Sequence, residues 1–290
     1  FLLMLAHILV EQGDYKLASP LLDAYAGVDP NNRLYLLLRA RVAFESAKDR
    51  AGALTALRKG LERYPGDPEL GIYAAELLAA GDDAERSEAI QLAGSVLERD
   101  TDNLKALAVL LDADLRAGNA ASAAERADRI WSLDKTYANL DALYRAYRLA
   151  GRSDDAKTVA QAWRQREPTS EAAALAWAGI LIEEGSKTEA AAFINGLLAG
   201  KGSSSFRSTL YYLQAKLQAN ADAALAMLRS ALIENGLNVD ALVAMTEIYT
   251  SKGDYQRARF YLKQAMALAP ARADVVERQN VLTQLGVALP

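Results

Sequence analysis

Alanine recurs along this chain at a nearly constant spacing, which constrains the fold more than any other feature. The gaps between successive members are 33 to 36 residues long. Twelve residues after each alanine lies a predicted loop position, and four of these eight positions are proline. The recurrent alanines are Ala18, Ala53, Ala89, Ala123, Ala156, Ala190, Ala224 and Ala258. A period of this length indicates a chain built from eight copies of one structural unit.

Each unit is predicted to contain two helices that cross at the recurrent alanine. A larger side chain there would force the helices apart, so we interpret alanine as a packing choice. In five units a glycine lies five residues before the alanine and is expected to end the first helix with a positive φ. Lys48 stands at this position in the second unit, which leaves the geometry of that turn open. The five glycines are Gly13, Gly118, Gly151, Gly185 and Gly253.

Two units carry a motif that identifies a family. The segments Gly13-Asp14-Tyr15 before Ala18 and Gly253-Asp254-Tyr255 before Ala258 resemble the tetratricopeptide repeat. The resemblance extends over nearly the whole chain, because the eight units stay in phase. It implies an all-α fold, an α-solenoid of about eight helix-turn-helix repeats in a right-handed superhelix with a C-terminal capping helix. The chain is predicted to be one domain over 1–290. The predicted repeats span 1–32, 33–67, 68–103, 104–136, 137–170, 171–204, 205–238 and 239–272, and the predicted capping helix spans 273–290.

Composition excludes several classes of partner and site. The net charge is −4 and both signs are interspersed along the predicted helices, so no basic stripe predicts a nucleic-acid partner. The absence of cysteine excludes disulfides and thiolate metal sites, but it leaves the compartment open. The sequence shows no apolar run of about 20 residues, the length that a membrane span needs.

No arrangement of residues predicts catalysis, and we expect neither an enzyme nor a bound metal or cofactor. His7 is the single histidine, so it has no second imidazole with which to build a usual metal site. The acidic pairs Asp154-Asp155 and Glu183-Glu184 lie at predicted helix ends, where carboxylates are solvated or complement the helix dipole. The segment 200–205 is glycine- and serine-rich, but no strand precedes it, and we interpret it as a turn between repeats.

The most distinctive surface residues lie on the first helix of the fifth repeat. Tyr144 and Tyr147 are predicted to pack inward, whereas Arg145 and Arg148 project together from a neighbouring face. In the resembled family the first helices line a concave groove, which makes these arginines candidates for binding a partner. The alternative that we favour is a network of local ion pairs. The candidate groove residues are Asp112, Arg116, Asp141, Arg145 and Arg148.

The resemblance implies a scaffold or adaptor that binds a partner protein or peptide segment in this groove. Two alternatives remain: a periplasmic module for a small molecule or lipid, which needs a closed apolar cavity, and the regulatory repeat array of a larger enzyme. A chaperone clamp for a terminal carboxylate is not expected, because Lys105 stands without the asparagines of that pattern. The alanine-rich repeats resemble bacterial members, several of them lipoprotein scaffolds, which favours periplasm or envelope over cytoplasm.

The N-terminal end and the tryptophans complete the predictions. The apolar stretch from Phe1 to Leu5 is in phase with the first helix, and we expect it to pack on upstream repeats or, by self-association, on another chain. Trp131, Trp163 and Trp177 occupy positions that face neighbouring helices in the resembled family, and they are predicted to pack in the core.

Overall fold

The computed structural model describes residues 1–288, and every regular element in this range is an α-helix. The described chain forms two compact units, which meet in sequence between Ala156 and Lys157. The helices are α1 (Leu2–Glu11), α2 (Tyr15–Tyr25), α3 (Arg33–Ala47), α4 (Arg50–Arg63), α5 (Pro68–Leu78), α6 (Asp83–Leu97), α7 (Leu104–Ala117), α8 (Ala120–Leu133), α9 (Leu140–Leu149), α10 (Ser153–Arg166), α11 (Glu171–Glu183), α12 (Lys187–Ala199), α13 (Ser204–Lys216), α14 (Ala221–Glu234), α15 (Val239–Ser251), α16 (Tyr255–Leu268) and α17 (Ala273–Gln284).

The helices come in consecutive pairs. The two members pack on each other in the pairs α1–α2, α3–α4, α5–α6, α7–α8, α11–α12, α13–α14 and α15–α16. Eight pairs and a seventeenth helix confirm the predicted all-α class of helix-turn-helix repeats. Helix α13 begins at Ser204, one residue before the predicted start of the seventh repeat. The right-handed superhelix and the single continuous domain stay predictions.

The recurrent alanines lie in the interior of the described chain. All eight are buried, with exposed fractions of 0 to 8%. A methyl group is the largest side chain that such close contacts accept without rearrangement, and overpacking typically costs about 1 to 3 kcal/mol. The period seen in the sequence therefore marks buried positions, and the close helix crossing at each alanine stays a prediction.

The turn inside most repeats depends on a left-handed residue. Gly13, Gly118, Gly151, Gly185 and Gly253 all have positive φ, between 68° and 80°. In the second repeat Lys48 itself takes a φ of 54°, and its backbone N–H bonds to the carbonyl of Phe44. Its ammonium group lies 5.3 Å from the centre of the Phe44 ring. The turn that the sequence left open thus keeps the geometry of its glycine counterparts.

Short polar residues begin the first helix of every repeat from the second to the eighth. Each one accepts a hydrogen bond from the backbone N–H three residues later, which satisfies a donor that the helix leaves free. The caps are Asn32, Asp67, Asn103, Asn139, Ser170, Ser203 and Asn238. The first part of the segment 200–205 is accordingly a turn, which ends at Ser203, the cap of α13, and Ser204 and Ser205 begin that helix. Ser203 also donates its hydroxyl to Glu171 at 2.6 Å.

The last helix covers the end of the second unit with a narrow apolar face. Val275 and Leu282 are fully buried against α15 and α16, whereas Val276 and Leu285 are exposed. Helix α17 ends at Gln284. The predicted capping range runs to residue 290, and residues 289–290 lie outside the described part of the chain.

The first helix has one buried and one exposed apolar face. Ala6 and Val10 pack against α2 and α3, whereas Phe1, Met4 and Ile8 are exposed. Leu2 and Leu5, in the same apolar stretch, are half-buried. Among residues 1–288, no helix has the length and apolar character needed to cross a membrane.

Candidate partner-binding site

A cleft of the first unit lies among the first helices of its repeats. It has a volume of about 910 Å³ and is lined by α1, α3, α5, the start of α2 and the start of α7. First helices come together here because each packs on its own second helix and several also pack on the next first helix. We call this feature the first-helix cleft. Its lining residues are Met4, His7, Val10, Glu11, Tyr15, Arg33, Leu34, Leu37, Leu38, Arg41, Glu45, Glu69, Ile72, Tyr73, Glu76, Asn103 and Lys105.

Aliphatic side chains form the floor of the cleft. Val10, Leu37 and Ile72 are buried and come from three different first helices. Leu34 is half-buried and Met4 is exposed at the edge. Apolar side chains that stay partly open to solvent gain free energy when a ligand covers them, so the floor is suited to an apolar side chain of a partner.

Ion pairs that join neighbouring repeats form the walls. Arg41 on α3 contacts Glu11 on α1. Lys105 on α7 reaches Glu76 on α5 at 3.2 Å. His7 lies beside the first of these pairs, 3.7 Å from Glu11. The cleft therefore presents paired charges above an apolar floor, and His7 is a groove residue.

A further ion pair at the cleft joins Arg33 to Asp67, the residue that caps α5. Arg33 donates to both carboxylate oxygens of Asp67, one of them at 3.1 Å, and to Glu69 at 2.5 Å. Burial raises the pKa of Asp67, but hydrogen bonds from Arg33 and from the backbone N–H groups of Leu70 and Glu69 outweigh it and hold that pKa below its ordinary value. The carboxylate thus both caps α5 and joins the second repeat to the third.

Tyr73 brings an unsatisfied polar group to the cleft. Its hydroxyl oxygen is buried and has no hydrogen-bond partner among residues 1–288. Burial, followed by the negative charge of Glu45, raises the pKa of Tyr73 to about 12, so the hydroxyl keeps its proton. Leaving such a group unpaired costs about 1 to 3 kcal/mol. The scaffold itself does not explain why a tyrosine, rather than a phenylalanine, occupies this position.

The five predicted groove residues lie outside the first-helix cleft. Arg116 pairs with Asp112 at 2.8 Å and Arg145 with Asp141 at 3.4 Å, each one helical turn apart. These contacts are the local ion pairs of the alternative interpretation. Arg148 lies on the same helix as the second pair.

The structure brings only some of these residues together. Arg145 and Arg148 line a hollow of about 470 Å³ with Leu115, Tyr144 and Leu149. Tyr147 is buried as predicted, but Tyr144 is half-buried and faces this hollow. Asp112 and Arg116 line a separate hollow of about 310 Å³ beside α6. Four of the five predicted residues thus line two hollows of the first unit, and Asp141 lines neither of them.

The remaining candidates of the sequence have structural surroundings. Asp154 and Asp155 lie in the first turn of α10, and Glu183 ends α11. Trp163 is buried, as predicted. Trp131 and Trp177 are only partly buried, and a cation lies over each ring, Lys135 at 4.6 Å and Arg164 at 5.6 Å from the ring centres. The described residues contain no cluster of three or more metal-ligating side chains.

Sequence reasoning missed the first-helix cleft. Its charged pairs between repeats join residues 29 to 36 positions apart, such as Lys105 with Glu76 and Arg33 with Glu69. That separation is close to one repeat, so charges of opposite sign recurring at the repeat period were the signal that could have found it. The orphaned hydroxyl of Tyr73 had no sequence signal, because it depends on which neighbours fail to reach it.

Comparison with known proteins identifies the repeats. The family model for the tetratricopeptide repeat matches residues 239–272, which are α15, α16 and the turns around them. Residues 239–272 therefore match a tetratricopeptide repeat, and the chain as a whole has the fold of such proteins. A tetratricopeptide repeat protein from Parabacteroides merdae has 15% identity, with 97% of each chain covered and a TM-score of 0.52. None of the curated proteins matches the chain.

Two further solved structures share the tetratricopeptide-repeat fold. Yeast Tom70 has 16% identity and a TM-score of 0.50, with 94% of this chain and 59% of that chain covered. The APC/C hetero-tetramer Cut9–Hcn1 has 13% identity and a TM-score of 0.55, with 92% and 52% covered. These identities show the fold alone. The fold is generally a scaffold for protein–protein interaction and is typically not catalytic.

Proposed function

We propose that the chain is a non-catalytic scaffold or adaptor that binds an extended segment of a partner protein across its first helices. The first-helix cleft is the principal contact. The observation that carries the proposal is the cleft itself, with an apolar floor from three repeats and charged walls on a helical scaffold. Such a surface suits a peptide, which offers apolar side chains and main-chain polar groups together.

We further propose that the hollow of Arg145 and Arg148 contributes a second contact, to a carboxylate of the partner. Both arginines are exposed on α9, and a charge-assisted hydrogen bond is roughly twice as strong as a neutral one. The Arg145–Asp141 pair is a weak obstacle, because exposed pairs one helical turn apart contribute about 0.3 to 0.5 kcal/mol.

A lipid-binding module fits the cleft less well. Glu11, Arg41, Glu45 and Glu76 line it, and burying these groups against an acyl chain would leave charges without water. A regulatory array of a larger enzyme would use the same peptide-binding surface, so it differs from the adaptor in what the chain is joined to. We propose periplasm or envelope as the compartment, which rests only on the resemblance in repeat composition to bacterial scaffolds.

Phage selection of random twelve-residue peptides on the chain tests the proposal. Recovered peptides are then measured by fluorescence anisotropy on Met4→Glu and Leu17→Glu. Met4 lines the cleft and is 59% exposed, whereas Leu17 lies on α2 outside the cleft and is 60% exposed, so both variants add the same charge at equal exposure. We expect Met4→Glu to weaken binding by about tenfold or more, which is about 1.4 kcal/mol, and Leu17→Glu by less than about twofold.

Circular dichroism of both variants checks that the helices remain. Enriched peptides that lose affinity with Leu17→Glu and keep it with Met4→Glu would overturn the assignment of the cleft. A selection that enriches no peptide would overturn segment binding as the function.

A further inference from the structure

The first-helix cleft carries chemical information about its ligand. The hydroxyl of Tyr73 is the group that the scaffold leaves without a partner within residues 1–288. A tyrosine hydroxyl both donates and accepts hydrogen bonds, so its surroundings decide which role a ligand would complete. Two carboxylates of the cleft lining, Glu45 on α3 and Glu76 on α5, impose negative charge on this tyrosine, against the single positive charge of Arg41, which is itself paired with Glu11. The surroundings therefore favour a ligand group that is positive and donates hydrogen bonds.

The present partners of these two carboxylates hold them weakly. Glu45 pairs with Lys48 at 3.3 Å, and Glu76 pairs with Lys105 at 3.2 Å. The lysine side chains are 70% and 61% exposed, and such pairs contribute little because water screens them and long side chains lose entropy. Both carboxylates can therefore exchange a surface lysine for a cation that a ligand brings.

The arginines of the cleft offer little to an anionic ligand. Arg41 is engaged by Glu11, and Arg33 is shared between Asp67 and Glu69. Among the lining residues four glutamates face three cations, so the carboxylates are in surplus. An acidic segment would meet this surplus, and it would have to break the existing arginine pairs.

We propose that the first-helix cleft binds a segment in which a lysine or arginine lies between apolar residues. The cation lies between Glu45 and Glu76 and donates to them and to the hydroxyl oxygen of Tyr73, while the flanking apolar side chains cover the floor at Leu34 and Ile72. This inference rests on the proposed function and specifies the chemistry of its partner. Such a segment would give the Tyr73 hydroxyl a hydrogen-bond partner, neutralise the surplus carboxylate of the lining and cover the half-buried Leu34.

Three fluorescein-labelled peptides of twelve residues test the inference. One repeats Leu-Lys-Ser four times, and in the other two glutamine or glutamate replaces every lysine. With the unmodified chain we expect the lysine peptide to bind about tenfold more tightly than the glutamine peptide, and the glutamate peptide to bind most weakly. The Glu45→Gln, Glu76→Gln double variant should lose most of the preference for lysine.

A matched variant distinguishes an effect of these two carboxylates from an effect of the net charge of the chain. Glu62 and Glu98 lie on or next to second helices of the same unit and are exposed. The Glu62→Gln, Glu98→Gln double variant changes the charge by the same amount and should keep the preference. If both double variants keep the preference, or both lose it equally, the assignment to Glu45 and Glu76 is overturned.

Tyr73→Phe gives an independent measurement. A hydroxyl that serves only the scaffold would lower the stability of the chain when removed. The inference expects unchanged or higher stability in urea unfolding, together with a few-fold weaker binding of the lysine peptide. Loss of stability with unchanged binding would contradict it.

The outcomes distinguish this inference from the proposed function. Equal binding of the lysine and glutamine peptides, abolished by Met4→Glu, would retain the cleft as a peptide site and refute its preference for a cation. No binding of any of the three peptides, together with no enrichment of random peptides, would refute the proposed function itself.

Discussion

Two glycines of the first unit should respond in opposite directions to the same substitution. Gly118 ends α7 with a φ of 72°, whereas Gly94 lies inside α6. A methyl group added at either position points into open space among the described residues, so packing does not enter the comparison. Only the backbone conformation differs.

The magnitudes follow from that conformation. An alanine in the left-handed region costs about 1 to 2 kcal/mol, and the stiffer unfolded chain returns about 0.4 to 1 kcal/mol, which leaves Gly118→Ala destabilising by about 1 kcal/mol. Inside a helix, alanine is more stabilising than glycine by about 0.5 to 1 kcal/mol, so Gly94→Ala should raise the free energy of unfolding by that amount. The two variants should therefore differ by about 1.5 to 2 kcal/mol.

Urea unfolding followed by circular dichroism at the helix band measures both variants. Gly185→Ala at the end of α11 and Gly196→Ala inside α12 repeat the comparison in the second unit, and both positions are also open. Since repeat arrays unfold with limited cooperativity, each variant is compared with its partner in the same unit. A stabilising Gly118→Ala would refute the assigned turn geometry.

Three further predictions concern packing, pH and salt. Ala123 is buried on α8, so Ala123→Leu should destabilise the chain by about 1 to 3 kcal/mol in urea unfolding. Ala121→Leu, on the exposed face of the same helix, should change stability by less than about 0.5 kcal/mol. Equal effects of the two variants would contradict the repeat register. Asp67→Asn keeps a capping side chain but removes the charge that Arg33 binds, so it should cost about 1 to 2 kcal/mol at neutral pH. Because the pKa of Asp67 is lowered from 3.8, that difference should persist above pH 3.8 and vanish as pH falls through the lowered value, and a constant difference down to about pH 2 would refute the role of the charge. The Arg145→Ala, Arg148→Ala double variant should weaken binding of a selected peptide that carries carboxylates. The loss should be larger at low salt than at physiological salt, where the screening length is about 8 Å. Unchanged affinity at both salt concentrations would mean that Arg145 serves only its ion pair with Asp141.

The features of the fold that repeat along the chain were predictable from sequence. A recurrent alanine and a glycine five residues earlier carry the phase of the repeats, because a close helix contact and a left-handed turn each admit few residue types. Lys48 shows where this reasoning ends, since it takes the left-handed conformation without being a glycine. The caps Asn32 and Asn103 also followed a sequence rule, a short polar residue before an apolar helix.

The candidate site was predictable only where it depends on one helix. Asp141 and Arg145 lie one turn apart, so their ion pair follows from spacing alone. The first-helix cleft combines residues of four repeats, and their approach depends on how each helix pair is tilted against the next. Tyr144 illustrates the same difficulty, because its predicted inward orientation is wrong and it lies at the edge of a hollow.

Site-specific photo-cross-linking tests the central claim most directly. A benzoylphenylalanine is placed at Leu34 in the first-helix cleft and, as the control, at Leu17 outside it. Each protein is irradiated with a peptide recovered from the random library, and the joined products are sequenced by mass spectrometry. The account predicts that the peptide is joined at position 34 and that position 17 gives only background. Efficient joining at position 17 with none at position 34 would contradict it.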